Sequence, residues 1–573
     1  MRLVVVGGVA GGMSAAARAR RLDESAEIIV LERGDYVSFA NCGLPYFVGG
    51  EIAEESSLLV QTPQSLADAL NLDVRVRHDV VGLDAAAKTV TVTVDGETET
   101  ISYDALVLSP GAAAIKPPLP GIDSARVQTL RTVGDAVAMR EAVLDGATNA
   151  VVLGAGFIGI EAAEALAMRG IATTLVELAP HVLPPLESEM ARMATEELRR
   201  LGIDVREGVA ASEVIRGEAS DTVVLADGTR LDADIIVLSV GVRPDTLAFE
   251  AAGVTCERGA MCVDEHGRTN LPDVYAVGDA VISVDPITGA RRPVALAGPA
   301  NRAGRLVADA IFRLETARPM PAPVGTAVVR IGELTAAMTG ANRASLDGAG
   351  IEYHTLHLHP NNHAGYFPGA TTIDLLVHFR AGDGLLLGAQ AVGRDGVEKR
   401  IDVLATAIRG GFAVSDLIDL DLAYAPPYGS AKDPVNMAGM AGENVLNGTL
   451  KLWYAGDLDA VMADELVLDV RSQGEYASGH VPGCLLVPHT QVRDRLDEIR
   501  TAAAGRPVAV MCAAGVRSYL AHRILDQEGF DSSMLSGGMR TLMATLGGRA
   551  PEVLNQSGRT LTGGGKKAAG HGR

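Results

Sequence analysis

Two cysteines stand where sulfur chemistry is possible. Cys42 lies in SFANCGLPY (Ser38–Tyr46), at the expected start of a helix with Gly43 and Pro45 in its first turn. A helix N-terminus favours the thiolate, the form that attacks a disulfide sulfur. The residues alone equally fit a buried, inert small side chain. Cys512 opens the loop CAAGVR within Pro507–Leu525, between a strand-like run and a helical stretch, and Arg517 closes it. Such a loop aims successive N–H groups at an anion, lowers a thiol pKa and cradles a sulfur anion. The other three cysteines, Cys256, Cys262 and Cys484, are read as structural. An odd number, widely spaced and without CxxC, argues against a disulfide scaffold or a zinc ribbon.

Two glycine turns offer phosphate sites. Gly154-Ala155-Gly156-Phe157-Ile158-Gly159 follows VVL and opens a helix. Gly154 suits the tight turn, Gly156 admits a pyrophosphate to the backbone, and Gly159 lets helix and strand pack closely. The next strand ends at Glu177, whose carboxylate accepts from a ribose 2′-OH and repels a 2′-phosphate. NADH is therefore expected over NADPH. The first turn, Gly7-Gly8-Val9-Ala10-Gly11-Gly12, puts Val9 at the place of the middle glycine, and Glu32 ends its following strand. A third strand runs through Leu271–Asp279 and ends in Gly278-Asp279. Asp279 can hold a flavin's ribitol hydroxyls or serve as a helix N-cap.

These residues need a scaffold of repeated strand, turn, helix and strand. Apolar runs at Leu3–Val6 and Ala150–Leu153, each followed by helical periodicity (Met13–Leu22, Ile158–Met168), predict two parallel-sheet units. From about Gly325 short β-like runs and the helical stretch Lys399–Arg409 suggest an α+β module, and a further α/β unit follows from Leu466. The net charge of −21 argues against nucleic acid and anionic membranes as partners. The start MRLVVVGGVAGG mimics a leader, but its glycines and the following ARARR suit a nucleotide turn better. No apolar run is long enough to span a membrane, and the expected address is the cytoplasm. The tail LTGGGKKAAGHGR is expected to be disordered. His354, His357, His359 and His363 lack a supporting ligand pattern, so no metal is expected there; exposed imidazoles on a strand are.

The two turns and the Gly-Asp strand end together resemble the FAD- and NAD-dependent pyridine nucleotide–disulfide oxidoreductases over about residues 1–450. LVLSPGA, which contains Gly111, and IIVLSVGVRPD are similar to that family's crossover strands. The resemblance implies FAD on the first turn and NAD(P)H on the second. SFANCG resembles the single-cysteine branch, since the position four residues on is Tyr46 and no second redox thiol follows. Within that branch Ala10 is similar to coenzyme A-disulfide and persulfide reductases, where peroxidases and oxidases carry histidine. Ser14, Arg18, Arg21, Ser38, Asn41 and Lys432 match coenzyme A-binding positions of those reductases, although Arg18 and Arg21 also fit a solvated helix face. SLADALN lacks the relatives' basic run, which implies a weaker hold on coenzyme A or a different bound form. Tyr366 and Tyr424 match residues that reach the partner subunit's cysteine in the homodimeric reductases, where a phenol can serve a leaving thiolate.

Asp469, Arg471, Glu475, His480, the loop at Cys512 and LSGGM together resemble a rhodanese domain, which implies a persulfide carried on Cys512. The expected fold class is α/β: two Rossmann-like FAD and NAD(P) domains, an α+β dimerisation domain and a C-terminal rhodanese domain. The expected boundaries are 1–112 and 244–322 for FAD, 113–243 for NAD, 323–450 for dimerisation, 458–550 for rhodanese and 556–573 for the tail. The implied activity is an NADH-dependent coenzyme A-disulfide or persulfide (polysulfide) reductase fused to a sulfurtransferase. Its partners are a small thiol disulfide or persulfide and a second copy of the chain. An NADH oxidase or peroxidase, and a redox sensor with a rhodanese docking domain, stay open as alternatives.

Overall fold

The computed structural model describes residues 1–555, so the expected tail at 556–573 lies outside the described residues. The chain divides into two compact units, residues 1–352 with 387–411, and residues 353–386 with 412 onward.

The first unit is built on two five-stranded parallel sheets. One has the order Val274–Ala276, Ala105–Leu108, Arg2–Val6, Glu27–Glu32, Asp73–Val76. The other runs Asp204–Glu207, Ala172–Glu177, Asn149–Leu153, Ile235–Leu238, Val127–Gln128. In each, the strand before the glycine turn is central and apolar after its first residue, Arg2 or Asn149, with Leu3, Val4, Val5, Val151 and Val152 at 0–1% exposure. Strands covered on both faces read as continuous apolar runs, which is why they were visible in the sequence. The helices Ala10–Leu22 and Phe157–Met168 follow the turns. The crossover segments pair antiparallel, Ala112 opposite Pro244. Antiparallel three-stranded sheets (Asp79–Ser102 and Ala211–Ala233) complete the two halves. The strands Ala327–Ile331, Leu334–Gly340 and Leu386–Gly393 and the helix Val397–Gly410 belong mostly to this unit.

The second unit carries the antiparallel pair Tyr353–Leu358 and Ile373–Arg380 and the helix Pro434–Leu446. It also holds a third parallel sheet, ordered Leu452–Trp453, Ser532–Leu535, Val508–Met511, Leu466–Asp469, Leu485–Leu486. The expected exposed imidazoles are not found. His357 and His363 are each 7% exposed and the His359 side chain 6%, and all three make hydrogen bonds. The strand pair is covered within its own unit, which period and composition do not reveal. Among the described residues no group of three His, Cys, Asp or Glu could hold a metal, and no helix is long and apolar enough to cross a membrane.

Candidate functional site

The two glycine turns are built alike. Gly154 sits at φ +98°, and a Cβ on Gly159 would lie 1.9 Å from its carbonyl oxygen, so helix and turn approach as only glycines allow. Gly7 and Gly12 repeat this arrangement. Glu177 accepts from the Ala155 N–H at 2.6 Å and the Ala179 N–H at 2.8 Å. Glu32 accepts from the Gly8 and Gly34 N–H groups, both at 2.8 Å. Each carboxylate thus clamps its own turn at the strand end, where dinucleotide riboses lie in such sheets. Open space faces Gly156, whereas Val9 holds the equivalent place in the first turn. Gly111 (φ +72°) lies beyond the end of Ala105–Leu108, the strand beside Arg2–Val6, and Gly278 (φ +82°) beyond the end of Val274–Ala276, one strand further out. Asp279 lies in a short 3-10 turn rather than capping a helix. Burial pushes its carboxyl above the usual range, and Arg131, 3.9 Å away, opposes this.

Ser38 ties the Cys42 segment to the first turn, its N–H donating to Gly8 O at 2.8 Å from a left-handed backbone (φ +47°). The segment enters a 3-10 turn, Asn41–Gly43, and then a helix of only six residues, Leu44–Gly49. The expectation that a helix N-terminus lowers the Cys42 thiol is corrected here. Cys42 is exposed, yet desolvation by its neighbours, and then the Glu161 carboxylate, push the thiol up. Glu161 comes from the helix that follows the second glycine turn and accepts from Tyr46 Oη at 3.3 Å. Burial raises its own carboxyl, with Tyr46 opposing. The sequence reading did not single out Glu161, because only tertiary packing brings that helix to the cysteine.

Of the basic positions on the first helix, Arg20 is buried on the carbonyls of Leu70, Asp23, Glu24 and Asn71 and has a structural role. Arg18 is paired with Asp309 at 2.7 Å, which neutralises it. Arg21 is exposed. Ser14 donates to Asn301 Oδ1 at 2.6 Å. The helix Ala297–Phe312 therefore borders this surface, and its exposed Arg302 and Arg305 were not anticipated. In the second unit Tyr366 and Tyr424 meet, Oη to Oη, at 3.2 Å, and both are exposed; Lys432 is exposed too.

Cys512 forms the second sulfur site. It is 1% exposed and receives the Gly515 N–H at 3.1 Å, with Ser518 Oγ at 3.3 Å. Gly515 (φ +108°) makes the inward turn of its N–H possible, and the helix Val516–Gln527 follows. Arg517 is bidentate to Glu475 at 2.8 and 2.6 Å and holds that carboxyl far below its usual range. Asp469 and Arg471 form a buried pair at 2.7 Å, and Arg471 also donates to Gly479 O. The His480 ring stacks on Tyr476 at 3.8 Å. Asp469 ends the strand Leu466–Asp469, which pairs with Val508–Met511, the strand that leads into the Cys512 loop. Burial pushes the Cys484 thiol up to about 11, which fits a structural role.

Comparison with known proteins agrees with this geometry. Residues 1–304 match the pyridine nucleotide-disulphide oxidoreductase family model, 326–434 its dimerisation domain, and 454–544 the rhodanese-like domain. A coenzyme A disulfide reductase of Staphylococcus haemolyticus is 34% identical over 442 residues, 76% of this chain and 98% of that protein. The reduced CoADR-RHD of Bacillus anthracis superposes with a TM-score of 0.93 at 40% identity, covering 96% of this chain and 99% of that one. An NAD-dependent persulfide reductase of A. fulgidus gives 0.88 at 36% identity, covering 94% and 100%. With two glycine turns flanking a single thiol and a cradled thiol in a third parallel sheet, the chain belongs to the pyridine nucleotide-disulphide oxidoreductase family and carries a rhodanese-like domain at its C-terminal end.

Proposed function

We propose that the protein is an FAD-dependent NADH:coenzyme A-disulfide or coenzyme A-persulfide (polysulfide) reductase joined to a sulfurtransferase. The observation that carries this reading is the placement of Cys42. Its loop is stitched to the first glycine turn through Ser38, and its helix meets the helix of the second through Tyr46 and Glu161. Names borne by the similar proteins supply the substrate class.

The residues fit both dinucleotides. Gly7, Gly8, Ala10, Gly11 and Gly12 form a turn and helix start for the FAD pyrophosphate, with Glu32, Gly111, Gly278 and Asp279 around it. Gly154, Gly156, Gly159 and Glu177 do the same for NADH. Bound FAD supplies the two-electron relay between NADH and the Cys42 sulfur. The chain's own part is to present that sulfur. Cys42 as thiolate attacks one sulfur of the disulfide or persulfide, a mixed disulfide or persulfide forms on it, and the other sulfur leaves as thiolate or sulfide. Tyr366 and Tyr424, exposed on each copy, supply phenol protons to that leaving sulfur across a homodimer. The exposed aromatic surface of Tyr366, Tyr424 and Tyr428 fits coverage by a second copy. Ser14, Arg18, Arg21, Ser38, Asn41 and Lys432 hold the coenzyme A portion, with Arg21 as the freest cation. Cys512, with Arg517 and its N–H cradle, accepts sulfane sulfur from a donor.

The test is steady-state NADH oxidation with coenzyme A disulfide, coenzyme A persulfide and polysulfide, comparing the wild type with Cys42→Ser. Turnover disappears in the variant while bound flavin absorbance is retained. Turnover that survives without the thiol would refute the assignment.

A further inference from the structure

One buried carboxylate joins the strand pair of the second unit to the loop of Cys512. Asp374, 4% exposed, lies on the strand Ile373–Arg380. Its Oδ1 accepts from His359 Nδ1 at 2.5 Å and Arg540 Nε at 2.8 Å, and its Oδ2 from Arg540 Nη2 at 2.9 Å. On the other side of the His359 ring, Nε2 lies 3.0 Å from both Gly537 O and Thr541 Oγ1. On the neighbouring edge strand Tyr353–Leu358, the His357 N–H donates to Ser536 Oγ at 3.1 Å.

The segment gripped in this way also holds the sulfur loop. The Met539 N–H donates to Cys512 O at 2.8 Å and the Arg540 N–H to Ala513 O at 3.0 Å. Gly538 packs so tightly here that a Cβ would lie 2.5 Å from Cys512 O. Arg540 therefore acts twice, its backbone on the loop and its guanidinium on Asp374. A slip of this segment moves the Cys512 and Ala513 carbonyls and, with them, the Gly515 N–H that points at the sulfur.

We infer that Asp374 and His359, which lie outside the rhodanese-like segment, are positioning residues for the Cys512 loop. The inference rests on the sulfurtransferase reading of Cys512. It adds that the sulfur cradle is completed by residues from another module and is not self-contained.

The test uses the full-length protein with Asp374→Asn and follows Cys512 alkylation by iodoacetamide against pH, read by peptide mass. Two causes push in opposite directions. A cradle that relaxes withdraws N–H donors from the thiolate and moves the profile to higher pH. The Arg540 cation, left without its carboxylate, would by charge alone move it to lower pH. The expected result is an upward shift of about one unit, roughly tenfold slower alkylation below the midpoint. NADH-driven disulfide reduction stays as in the wild type. An unchanged profile, or one shifted to lower pH, overturns the inference. Should Asp374→Asn fail to fold, His359→Gln is read in the same assay, with the same upward shift expected and an unchanged profile overturning the idea. If wild-type protein transfers no sulfur while Asp374→Asn still slows alkylation, the sulfurtransferase reading fails and the positioning role stands.

Discussion

Glu161 sets the terms for the thiol at Cys42. A carboxylate near a thiol disfavours the thiolate, so the two groups compete for ionisation. Glu161→Gln removes that competition, and the pH profile of Cys42 alkylation should move to lower pH. The same change affects stability with a definite sign. A carboxyl raised in the fold above its ordinary 4.5 favours the folded state fully only below that value. The contribution is lost as pH rises through the raised value, so the glutamine variant should gain in melting temperature at neutral pH and not in acid. A thermal scan at both ends checks this; an equal effect at both ends excludes it. Glu177 makes a different prediction. Its oxygens accept from the Ala155 N–H in the turn and the Ala179 N–H beyond the strand, and under the proposed function it takes the ribose hydroxyl as well, so Glu177→Ala should lower kcat/KM for NADH about tenfold, the scale of one charged hydrogen bond. The value for NADPH should not fall in step, and an unchanged NADH/NADPH ratio removes the role. Glu32 and Glu177 were legible because a strand end marks them. Glu161 and Ser518 were not, because helical spacing says nothing about which distant sulfur a side chain will meet.

Glycine-turn elements were read to within a few residues, since strands buried on both faces announce themselves as apolar runs closed by glycine. Gly159 tests the element itself. Its missing Cβ leaves the helix Phe157–Met168 against the carbonyl of Gly154, and Gly159→Ala forces the two apart. NADH-driven turnover should fall roughly 10²-fold while FAD stays bound, because displacement of about 1 Å is enough to misplace a reacting centre. Flavin loss in parallel would show that the two turns do not act separately. Where the reading failed, length and partner were the causes. The helix after Cys42 has six residues, too short for its dipole to govern the thiol. The strand Tyr353–Leu358 shows no sequence sign of the cover that Ser536, Gly537 and Thr541 give its histidines and their neighbour His359.

At the scale of the whole chain, three parallel sheets and an α+β segment appear in the order the motifs foretold. What the sequence did not disclose is that the α+β segment contributes strands to both compact units. Modularity is still testable through the sulfur sites. Cys512→Ser should abolish thiosulfate sulfurtransferase activity while NADH-driven disulfide reduction through Cys42 persists. Simultaneous loss of both would contradict separate sites. The Arg517–Glu475 pair beside the Cys512 loop has a further consequence. A lone arginine there would draw anionic donors through solution, and added electrolyte would weaken the pull. With its charge already answered by Glu475, the arginine exerts little long-range attraction, and the rate of sulfur loading should change little with ionic strength.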